Sequence, residues 1–546
     1  MLVSVAVLLV VLVSVTLLRY CSIQGRHQNA TDEHTVAGLN SPRTRNSSAR
    51  GRLAASPRTV PGPWLAQLSS CWIVLQCIRD RRNRTVHALH ALYGPIVRLA
   101  PHEVSLADPA CVRQIYITGD FDKSDFYSNF SLFGGTENAF SILSADLHST
   151  RRRIVQSSYS KSTINRRANM IAICDCISQA MLKCAGEPDG RGRSSAPVNV
   201  LDLFKNLTMD ILTGFQFGEP ASSHFLSQPE KAKVIFDQYH TQDDLWWIHP
   251  YFPTLARFLC PESLSRAISA TSSWLLSSLR LSSSCALPGV VRQLRDSGLS
   301  ELETASEIAN HVFLGYQTTP VVLSYLCWQL SIHDSLQEKL RQEILQAAKS
   351  HDYSSQDYYS KPSSDAPKVA MALVPHISVL DKLPLLSAVI DETLRLYTPM
   401  PASESRLVPA SGYLYTPSSS SYGDKSSSYF LPGGTVISIQ PWTLHRDPIV
   451  FSDPESFNPE RWLINDPEVL RLMNRSLIPF GAGATLCSGM NLALTEIRIT
   501  VAAILTNYYL FPSNKTTLKD MEMTDRYSTR PRSNFCYINF EKFSPN

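Results

Sequence analysis

One cysteine near the C-terminus lies in surroundings that are typical of a metal ligand. Gly481 and Gly483 precede Cys487, and Gly489 follows it two residues later. Glycines allow backbone conformations that are closed to other residues, and they let a flat ligand approach the main chain. The apolar periodicity of residues 491–510 predicts a helix directly after this loop, and the N–H groups at a helix start favour a thiolate. Such a sulfur could bind a metal ion; the alternative is a buried free cysteine beside a buried helix.

A basic segment offers donors that could bind an anion. His148 and Arg152 lie four residues apart and therefore share one face of a predicted helix. Such donors would suit a ligand with a doubly anionic edge. The alternative interpretation is a solvated basic helix face.

Residues 301–344 form the longest uninterrupted helical pattern in the chain. Gly315 has no side chain to cover the backbone, and Pro320 cannot donate to the carbonyl of Tyr316. Together they predict a local opening of the helix, into which Thr318 could offer its hydroxyl. An ordinary kink, with the hydroxyl bonded to its own backbone, is the alternative.

Two further segments bring acidic and basic residues together. Residues 383–397 predict a helix with a proline in its first turn, and Glu392 and Arg395 share one face of this helix. The pair alone is too common by chance to be informative. Arg406 follows, and Arg461 lies further on, within a Pro-Glu-Arg-Trp segment.

Taken in the order of the chain, these segments resemble the motifs of the cytochrome P450 family. Residues 480–489 match that family's haem-binding pattern, Phe-Gly-x-Gly-x-Arg-x-Cys-x-Gly, except that Thr485 stands where the family has Arg or His. A proline-rich hinge at residues 61–64, the oxygen-binding helix, Glu-x-x-Arg and Pro-Glu-Arg-Trp occur in family order before it. The resemblance covers the chain from about residue 60 onwards, and it implies a mainly α fold with a smaller β portion.

The resemblance implies that haem b is the cofactor and that the Cys487 thiolate binds its iron. The other residues that it implies in cofactor binding are Phe480, Gly481, Gly483, Gly489, His148, Arg152 and Arg406, of which the last three would bind the haem propionates. Glu392, Arg395 and Arg461 would form a buried ionic triad that fixes the cysteine loop. Since Thr485 offers a hydroxyl but no charge, we expect weaker haem retention than with an arginine there.

Thr318 and Gln317 occupy the positions at which the family carries the threonine and the acid that organise proton delivery. Gln317 can form hydrogen bonds but cannot titrate, and Leu314 replaces a small residue. Thr318 could still pass protons together with ordered water. We therefore expect an active enzyme with altered coupling or an altered reaction type.

The N-terminus predicts a membrane anchor. Residues 1–18 are uncharged and rich in Val and Leu, and several arginines follow them. We interpret them as a transmembrane signal anchor, residues 19–60 as a polar tether and residues 61–546 as the catalytic domain. The arginines place the domain in the cytosol, and the resemblance implies a single-pass protein of the endoplasmic reticulum membrane, in contact with lipid. A cleaved signal peptide is the alternative.

Composition excludes some classes of partner. A net charge of +4 over 546 residues is too small to indicate nucleic-acid binding, and no basic stripe is interleaved with aromatics. The twelve cysteines lack the pair spacing of metal sites, so we interpret most of them as small buried hydrophobic residues. The chain has no Rossmann-type glycine fingerprint. Electrons would therefore come from an NADPH-dependent cytochrome P450 reductase, with cytochrome b5 as a further candidate donor.

The resemblance implies a monooxygenase that inserts one oxygen atom from O2 into a small apolar organic substrate. Residues 93–101 and 121–124 are similar to those of filamentous-fungal P450s of specialised metabolism, which implies a role in secondary-metabolite biosynthesis. Two alternatives stay open. One is an isomerase or dehydratase of the same fold that needs no reductase, and the other is a haem-binding or degenerate P450 without catalysis.

Overall fold

The computed structural model describes residues 59–119, 121–133, 135–185, 196–218, 221–233, 262–282, 289–350, 371–417 and 428–543. Within these ranges no helix has both the length and the hydropathy needed to cross a membrane. The predicted anchor at residues 1–18 and nearly all of the predicted tether lie outside the described residues.

The described chain is mainly helical with a smaller sheet portion, which confirms the predicted fold class. The α-helices, numbered in chain order, are α1 Leu65–Leu68, α2 Cys71–Ile78, α3 Arg82–Tyr93, α4 Pro109–Val112, α5 Ala145–Gln156, α6 Lys161–Ile164, α7 Arg167–Ala185, α8 Val200–Phe217, α9 Glu262–Ser282, α10 Val290–Asp296, α11 Glu301–Ile332, α12 Asp334–Ser350, α13 Ile377–Leu380, α14 Pro384–Leu396, α15 Pro441–Leu444, α16 Pro467–Ser476 and α17 Met490–Asn507. A π-helix at Arg113–Thr118 and 3-10 helices at Asp125–Phe130, Pro459–Leu463 and Gly483–Thr485 complete the helical elements of the described residues.

Strands contribute three small sheets to the described part of the chain. The strands are β1 Ile96–Ala100, β2 Glu103–Leu106, β3 Val198–Asn199, β4 Glu404–Leu407, β5 Tyr413–Tyr415, β6 Tyr429–Leu431, β7 Val436–Ile439, β8 Tyr508–Pro512 and β9 Tyr537–Lys542. The first sheet has the order β1-β2-β7-β4, and its β2 and β7 are parallel whereas the other neighbours are antiparallel. The second has the order β3-β9-β8, and β5 pairs with β6.

The long helix α11 runs through the largest apolar core, which also contains buried residues of α7, α8, α14 and α17. Its start is fixed by a capping box, in which the Ser300 hydroxyl accepts from the Glu303 N–H at 3.3 Å and the Glu303 carboxylate accepts from the Ser300 N–H at 3.0 Å. Each interaction satisfies an N–H group that the helix itself leaves unpaired. The absence of a side chain at Gly315 allows Leu212 of α8 to pack close to the α11 backbone.

Two helices are shorter than the sequence predicted. The pattern at 301–344 is two helices, because the backbone leaves the helical region at His333 and α12 begins at Asp334. The helix after the cysteine loop ends at Asn507 rather than at residue 510, because Tyr508–Pro512 pairs with β9. Aromatic side chains suit a sheet, and here the partner strand overrides the helical pattern.

The predicted local opening does not interrupt the long helix. Helix α11 continues without a break through Gly315 and Pro320. The Thr318 hydroxyl donates to the Leu314 carbonyl of the preceding turn at 2.9 Å. The alternative that the sequence left open, a threonine bonded to its own backbone, therefore describes this helix.

Candidate active site

A buried cavity contains the predicted cysteine. Its walls come from α5, α8, α11 and α17, together with the loop at residues 480–489. Cys487 and Thr318 both line it, as do the predicted anion-binding residues His148, Arg152 and Arg406. The fold thus brings residues from distant parts of the chain to one cavity.

The loop before α17 holds Cys487 in a fixed conformation. Gly481 and Gly483 have φ values of +74° and +65°, a region that L-residues with side chains rarely adopt. The Cys487 N–H donates to the Phe480 carbonyl at 2.8 Å, which closes the loop. Gly489 is the N-cap of α17. As a result the cysteine is exposed to the cavity although the cavity itself lies within the fold.

The pKa of the Cys487 thiol shifts in the direction opposite to the one expected from its position at the start of a helix. Burial raises the pKa of the Cys487 thiol, and this effect exceeds the opposing effects of the Gly489 N–H, the Arg152 charge and the Met490 N–H. The surroundings by themselves therefore favour the neutral thiol. A metal cation bound to the sulfur would favour the thiolate, because metal coordination deprotonates a thiol.

Two of the predicted anion-binding residues converge on one carbonyl of the cysteine loop. His148 and Arg152 lie on α5, as the four-residue spacing predicts. The Nε2 atom of His148 lies 3.2 Å from the Ala484 carbonyl oxygen, and Arg152 donates to the same oxygen. Burial and the Lys123 charge together lower the pKa of His148 to about 4. The imidazole is therefore neutral at pH 7.

Arg406 reaches the same loop from β4. Its Nη2 donates to the Thr485 hydroxyl at 2.7 Å, and its Nη1 donates to the Ser405 carbonyl at 3.0 Å. The guanidinium lies 4.6 Å from the centroid of the Tyr116 ring. Within the described part of the chain neither Arg406 nor Arg152 forms an ion pair with a carboxylate. Arg406 is buried and Arg152 is half-buried, and cations in such surroundings favour a ligand with negative charge.

Thr318 and Gln317 are separated by the geometry of α11. Thr318 lines the cavity beside Leu314 and Gly315, whereas Gln317 does not line it. The Thr318 hydroxyl hydrogen is used by the Leu314 carbonyl, so the hydroxyl must rotate before it can donate elsewhere. Its oxygen retains lone pairs that can accept a hydrogen bond.

Glu392, Arg395 and Arg461 form a buried ionic cluster outside the cavity. The Glu392 carboxylate lies 2.8 Å from Nη2 of Arg395 and 3.1 Å from Nε of Arg461, and the Glu392 and Arg395 side chains are completely buried. It also accepts from the Asn458 N–H at 2.8 Å and from the Trp462 indole at 2.9 Å. The carboxylate thus satisfies donors from two segments, α14 and residues 458–462, at one point.

A histidine that the sequence did not single out links this cluster to the cysteine loop. Arg395 donates to the His445 carbonyl at 2.9 Å, and Nδ1 of His445 lies 3.1 Å from the Arg395 carbonyl. The Ile478 N–H, two residues before Phe480, donates to Nε2 of His445 at 2.9 Å. Because Nε2 accepts this hydrogen bond, it carries no hydrogen, and the hydrogen of the neutral ring lies on Nδ1. Burial lowers the pKa of His445 to about 3, so it bridges the segments as a neutral ring.

Two further buried residues of the cavity wall carry no sequence signal for a site. Glu496 of α17 accepts from the Thr208 hydroxyl, and burial raises the pKa of its carboxyl to about 8. Lys123 is buried next to His148. The only available signal is a charged residue within an otherwise apolar or aromatic segment, and such a residue is more often exposed.

A cysteine loop that faces a cation-lined cavity beside a long helix is the arrangement that haem proteins with a thiolate ligand require. A family model for cytochrome P450 matches residues 61–537, and the chain therefore belongs to the cytochrome P450 family. It is an oxidoreductase of the P450 monooxygenase class.

The chain is similar to curated fungal enzymes over most of its length. Cytochrome P450 monooxygenase FGM1 of Gibberella zeae is 26% identical over 508 residues, which cover 89% of this chain and 92% of that protein. Cytochrome P450 monooxygenase penB of Penicillium thymicola is 28% identical over 474 residues, covering 80% and 94%. Cytochrome P450 monooxygenase avaI of Aspergillus versicolor is 30% identical over 417 residues, covering 73% and 92%.

The described residues fit the haem b that the family implies. Cys487 is exposed to the cavity, and the cavity-lining cations Arg152 and Arg406 lack carboxylate partners in the described chain. They would hold the two haem carboxylates, and Cys487 would hold the iron. Phe480 and Gly489 also line the cavity beside the cysteine.

Replacing Thr485 by arginine is expected to have opposite effects on the protein with and without haem. A third guanidinium near Arg406 and Arg152 should destabilise the haem-free protein by about 1 kcal/mol through repulsion of like charges. With haem bound, the added charge-assisted hydrogen bond should slow transfer of haem to apomyoglobin about tenfold. Thr485→Gln is the control, since it keeps a side-chain acceptor for Arg406 and adds no charge. Equal transfer rates for wild type and T485R would contradict the expectation.

Proposed function

We propose that this P450 inserts one oxygen atom from O2 into a small apolar organic substrate, using electrons from an NADPH-dependent cytochrome P450 reductase. The observation that carries the proposal is the cavity that Cys487 shares with Thr318 and with the cations Arg152 and Arg406, which form no ion pair with a carboxylate among the described residues. Haem b, when bound there, would supply the activation of dioxygen. Cytochrome b5 is a further candidate electron donor.

The walls of the cavity support an apolar substrate. Leu212 of α8 and Leu314, Gly315 and Val322 of α11 line it on the side of Thr318. Apolar walls bind a ligand mainly by removing apolar surface from water. The fungal relatives support a role in secondary-metabolite biosynthesis.

Thr318 is the side chain best placed to move a proton in the cavity. Its oxygen can accept a hydrogen bond while its hydrogen is held by the Leu314 carbonyl. Rotation of the hydroxyl would then let it donate to a group in the cavity, with ordered water as its own donor. Gln317 would contribute by holding such water rather than by titrating.

We also propose that residues 1–18 anchor the protein in the endoplasmic reticulum membrane as a single span. Residues 19–60 would be the tether, and residues 61–546 would be a cytosolic domain in contact with the lipid surface. The proposal is supported by the uncharged sequence of the first segment and the arginines that follow it. Fractionation of the full chain between membrane and soluble extracts tests it.

The reduced carbon monoxide difference spectrum of the purified protein tests the haem site. We expect a thiolate-type Soret band in the wild type, and we expect Cys487→Ala to lose it because no other described cysteine lines the cavity. Cys184→Ala serves as the control, since this cysteine is completely buried and does not line the cavity. Folded wild-type protein that binds haem without such a band would contradict the proposal.

A second candidate is an isomerase or dehydratase of the same fold that needs no reductase. Gln317 favours it, because a residue that cannot titrate stands where the family has an acid and because it does not line the cavity. Turnover of an identified substrate with and without NADPH, reductase and O2 separates the two. Product formed without any of the three would replace the monooxygenase proposal.

A further inference from the structure

Lys123 is a buried lysine in the wall of the haem cavity. Its relative exposure is 5%, and it lines the cavity together with His148 and Arg406. Its backbone is fixed beside Arg406 by an antiparallel bridge, and its N–H donates to the Leu143 carbonyl at 2.9 Å. The ammonium group is therefore held on a rigid support next to the predicted carboxylate-binding residues.

The ammonium group has three acceptors within hydrogen-bond distance. Nζ of Lys123 lies 2.7 Å from the Ala139 carbonyl oxygen, 3.0 Å from the Phe140 carbonyl oxygen and 3.1 Å from Nδ1 of His148. It also lies 5.5 Å from the centroid of the Tyr127 ring. A protonated lysine has three N–H donors and no acceptor, so these partners satisfy all of its donors.

These contacts select one tautomer of His148. If Nδ1 carried the hydrogen, it could donate to the Ala139 carbonyl at 2.7 Å, but it would then oppose an N–H of Lys123. Nε2 would also turn a lone pair toward the Ala484 carbonyl oxygen. With the hydrogen on Nε2, Nδ1 accepts from Lys123 and Nε2 donates to Ala484, whereas the lone pair of Nδ1 opposes the Ala139 carbonyl oxygen 2.7 Å away. That carbonyl accepts from Lys123 instead, so this second arrangement leaves one unfavourable ring contact where the first leaves two.

The tautomer matters because His148 faces the loop at which the haem carboxylates would bind. An Nε2–H can donate to a carboxylate, whereas a lone pair on the same atom would repel it. Burial and the Arg406 charge lower the pKa of Lys123 to about 7, and Glu307 acts in the opposite direction. An anion bound beside Arg406 would favour the ammonium form.

We propose that Lys123 is a positioning residue for haem, which holds His148 with its Nε2–H toward the haem carboxylates and supplies the positive charge that Thr485 lacks. The inference rests on the proposed function, because it requires haem bound through Cys487. It assigns two separable contributions to one side chain, a hydrogen-bond donor and a charge.

Two substitutions separate the contributions. Lys123→Met removes the donor and the charge, whereas Lys123→Gln keeps an N–H2 donor without the charge. The control is Lys205→Met, because Lys205 is also buried at 6% exposure but does not line the cavity. Each holoprotein is examined by resonance Raman spectroscopy of the haem propionate bending bands and by the rate of haem transfer to apomyoglobin.

We expect K123M to transfer haem about tenfold faster than wild type, the effect of losing one charge-assisted hydrogen bond. Its propionate bands should also shift. K123Q should keep the wild-type band positions and still transfer haem faster, and K205M should match wild type in both measurements. Propionate bands and transfer rates in K123M and K123Q that equal those of wild type would overturn the proposal.

The carbon monoxide difference spectrum distinguishes this proposal from the proposed function. A thiolate-type band in every variant, with no change in K123M in either measurement, would reject the role of Lys123 and leave the monooxygenase proposal intact. Absence of the band in wild type would overturn both. Equal band shifts in K123M and K123Q would show a charge effect only and would reject the tautomer assignment.

Discussion

Replacing Glu392 by alanine is expected to destabilise the folded protein by about 3–5 kcal/mol, the cost of removing one partner of a buried ion pair. The change leaves the guanidinium groups of Arg395 and Arg461 buried without their carboxylate. The N–H groups of Asn458 and Trp462 also lose their acceptor. Main-chain carbonyls still accept from both guanidinium groups, but they cannot replace the negative charge that a buried cation needs.

Urea unfolding of the wild type and of Glu392→Ala at pH 7 measures this effect. The matched control is Glu468→Ala, because Glu468 and Arg471 have the same spacing on α16 but are 74% and 59% exposed. An exposed pair is worth about 0.5 kcal/mol or less, so the control should remain close to wild type. Similar losses in the two variants would show that burial of the Glu392 cluster has no special energetic effect.

Glu392→Ala should also reduce haem binding, although Glu392 does not contact Cys487. Arg395 holds the His445 carbonyl, and His445 holds the Ile478 N–H just before the cysteine loop. Loss of Glu392 frees Arg395 and therefore loosens this chain of contacts. We expect folded E392A protein to retain less haem than wild type at equal protein concentration, measured by the Soret absorbance.

The cysteine loop and the ionic cluster were predictable because their residues lie in short segments with fixed spacing. Gly481, Gly483 and Cys487 define one loop, and the three-residue spacing of Glu392 and Arg395 places them on one helix face. The geometry of each segment therefore follows from its own sequence. The order of the segments along the chain then indicated the family, which the match to residues 61–537 bears out.

The contacts of Lys123 and His445 could not be predicted, since they depend on how distant segments pack. The ammonium group of Lys123 meets carbonyls of Ala139 and Phe140, and these carbonyls point inward only because of the local turn. His445 joins α14 to the segment before the cysteine loop. Neither contact follows from residue type or spacing, because both use main-chain groups that every sequence has.

The strand at residues 508–512 shows the same limit for secondary structure. Its apolar residues continue the pattern of α17, yet β9 from the C-terminal end of the chain pairs with it. A partner that is distant in sequence thus decides between two local conformations. Similarly, helix α11 remains continuous at Pro320 because its packing in the core is set by neighbouring helices rather than by one missing hydrogen bond.

Replacing Gly483 by alanine is expected to prevent haem binding. An added Cβ would overlap the Tyr116 carbonyl oxygen and would lie 2.5 Å from the carbonyl carbon, so main chain rather than a flexible side chain must move. The φ of +65° adds strain for any residue with a side chain. We expect a loss of about 4 kcal/mol in stability, which is in the range of severe core substitutions.

The other two glycines of the loop provide graded controls for this prediction. Gly481 also has a positive φ, but an added Cβ would make only ordinary contacts, with the Glu404 carboxylate at 3.5 Å and the Thr485 carbonyl oxygen at 3.7 Å. Alanine should therefore cost about 1–2 kcal/mol of backbone strain. At Gly489 the φ is −81° and the nearest atom, Sγ of Cys487, would be 4.0 Å away. Alanine there should cost no more than about 1 kcal/mol.

The order of these losses is tested by preparing the three alanine variants in parallel. Their thermal unfolding and their haem content are then measured. We expect Gly483→Ala to be by far the most affected, Gly481→Ala to be intermediate and Gly489→Ala to remain close to wild type. Because all three residues lie within one loop, a general sensitivity of the loop would affect them equally. Equal losses would therefore contradict the close packing of Gly483 against Tyr116, whereas the graded order would show that this contact sets the position of the cysteine loop.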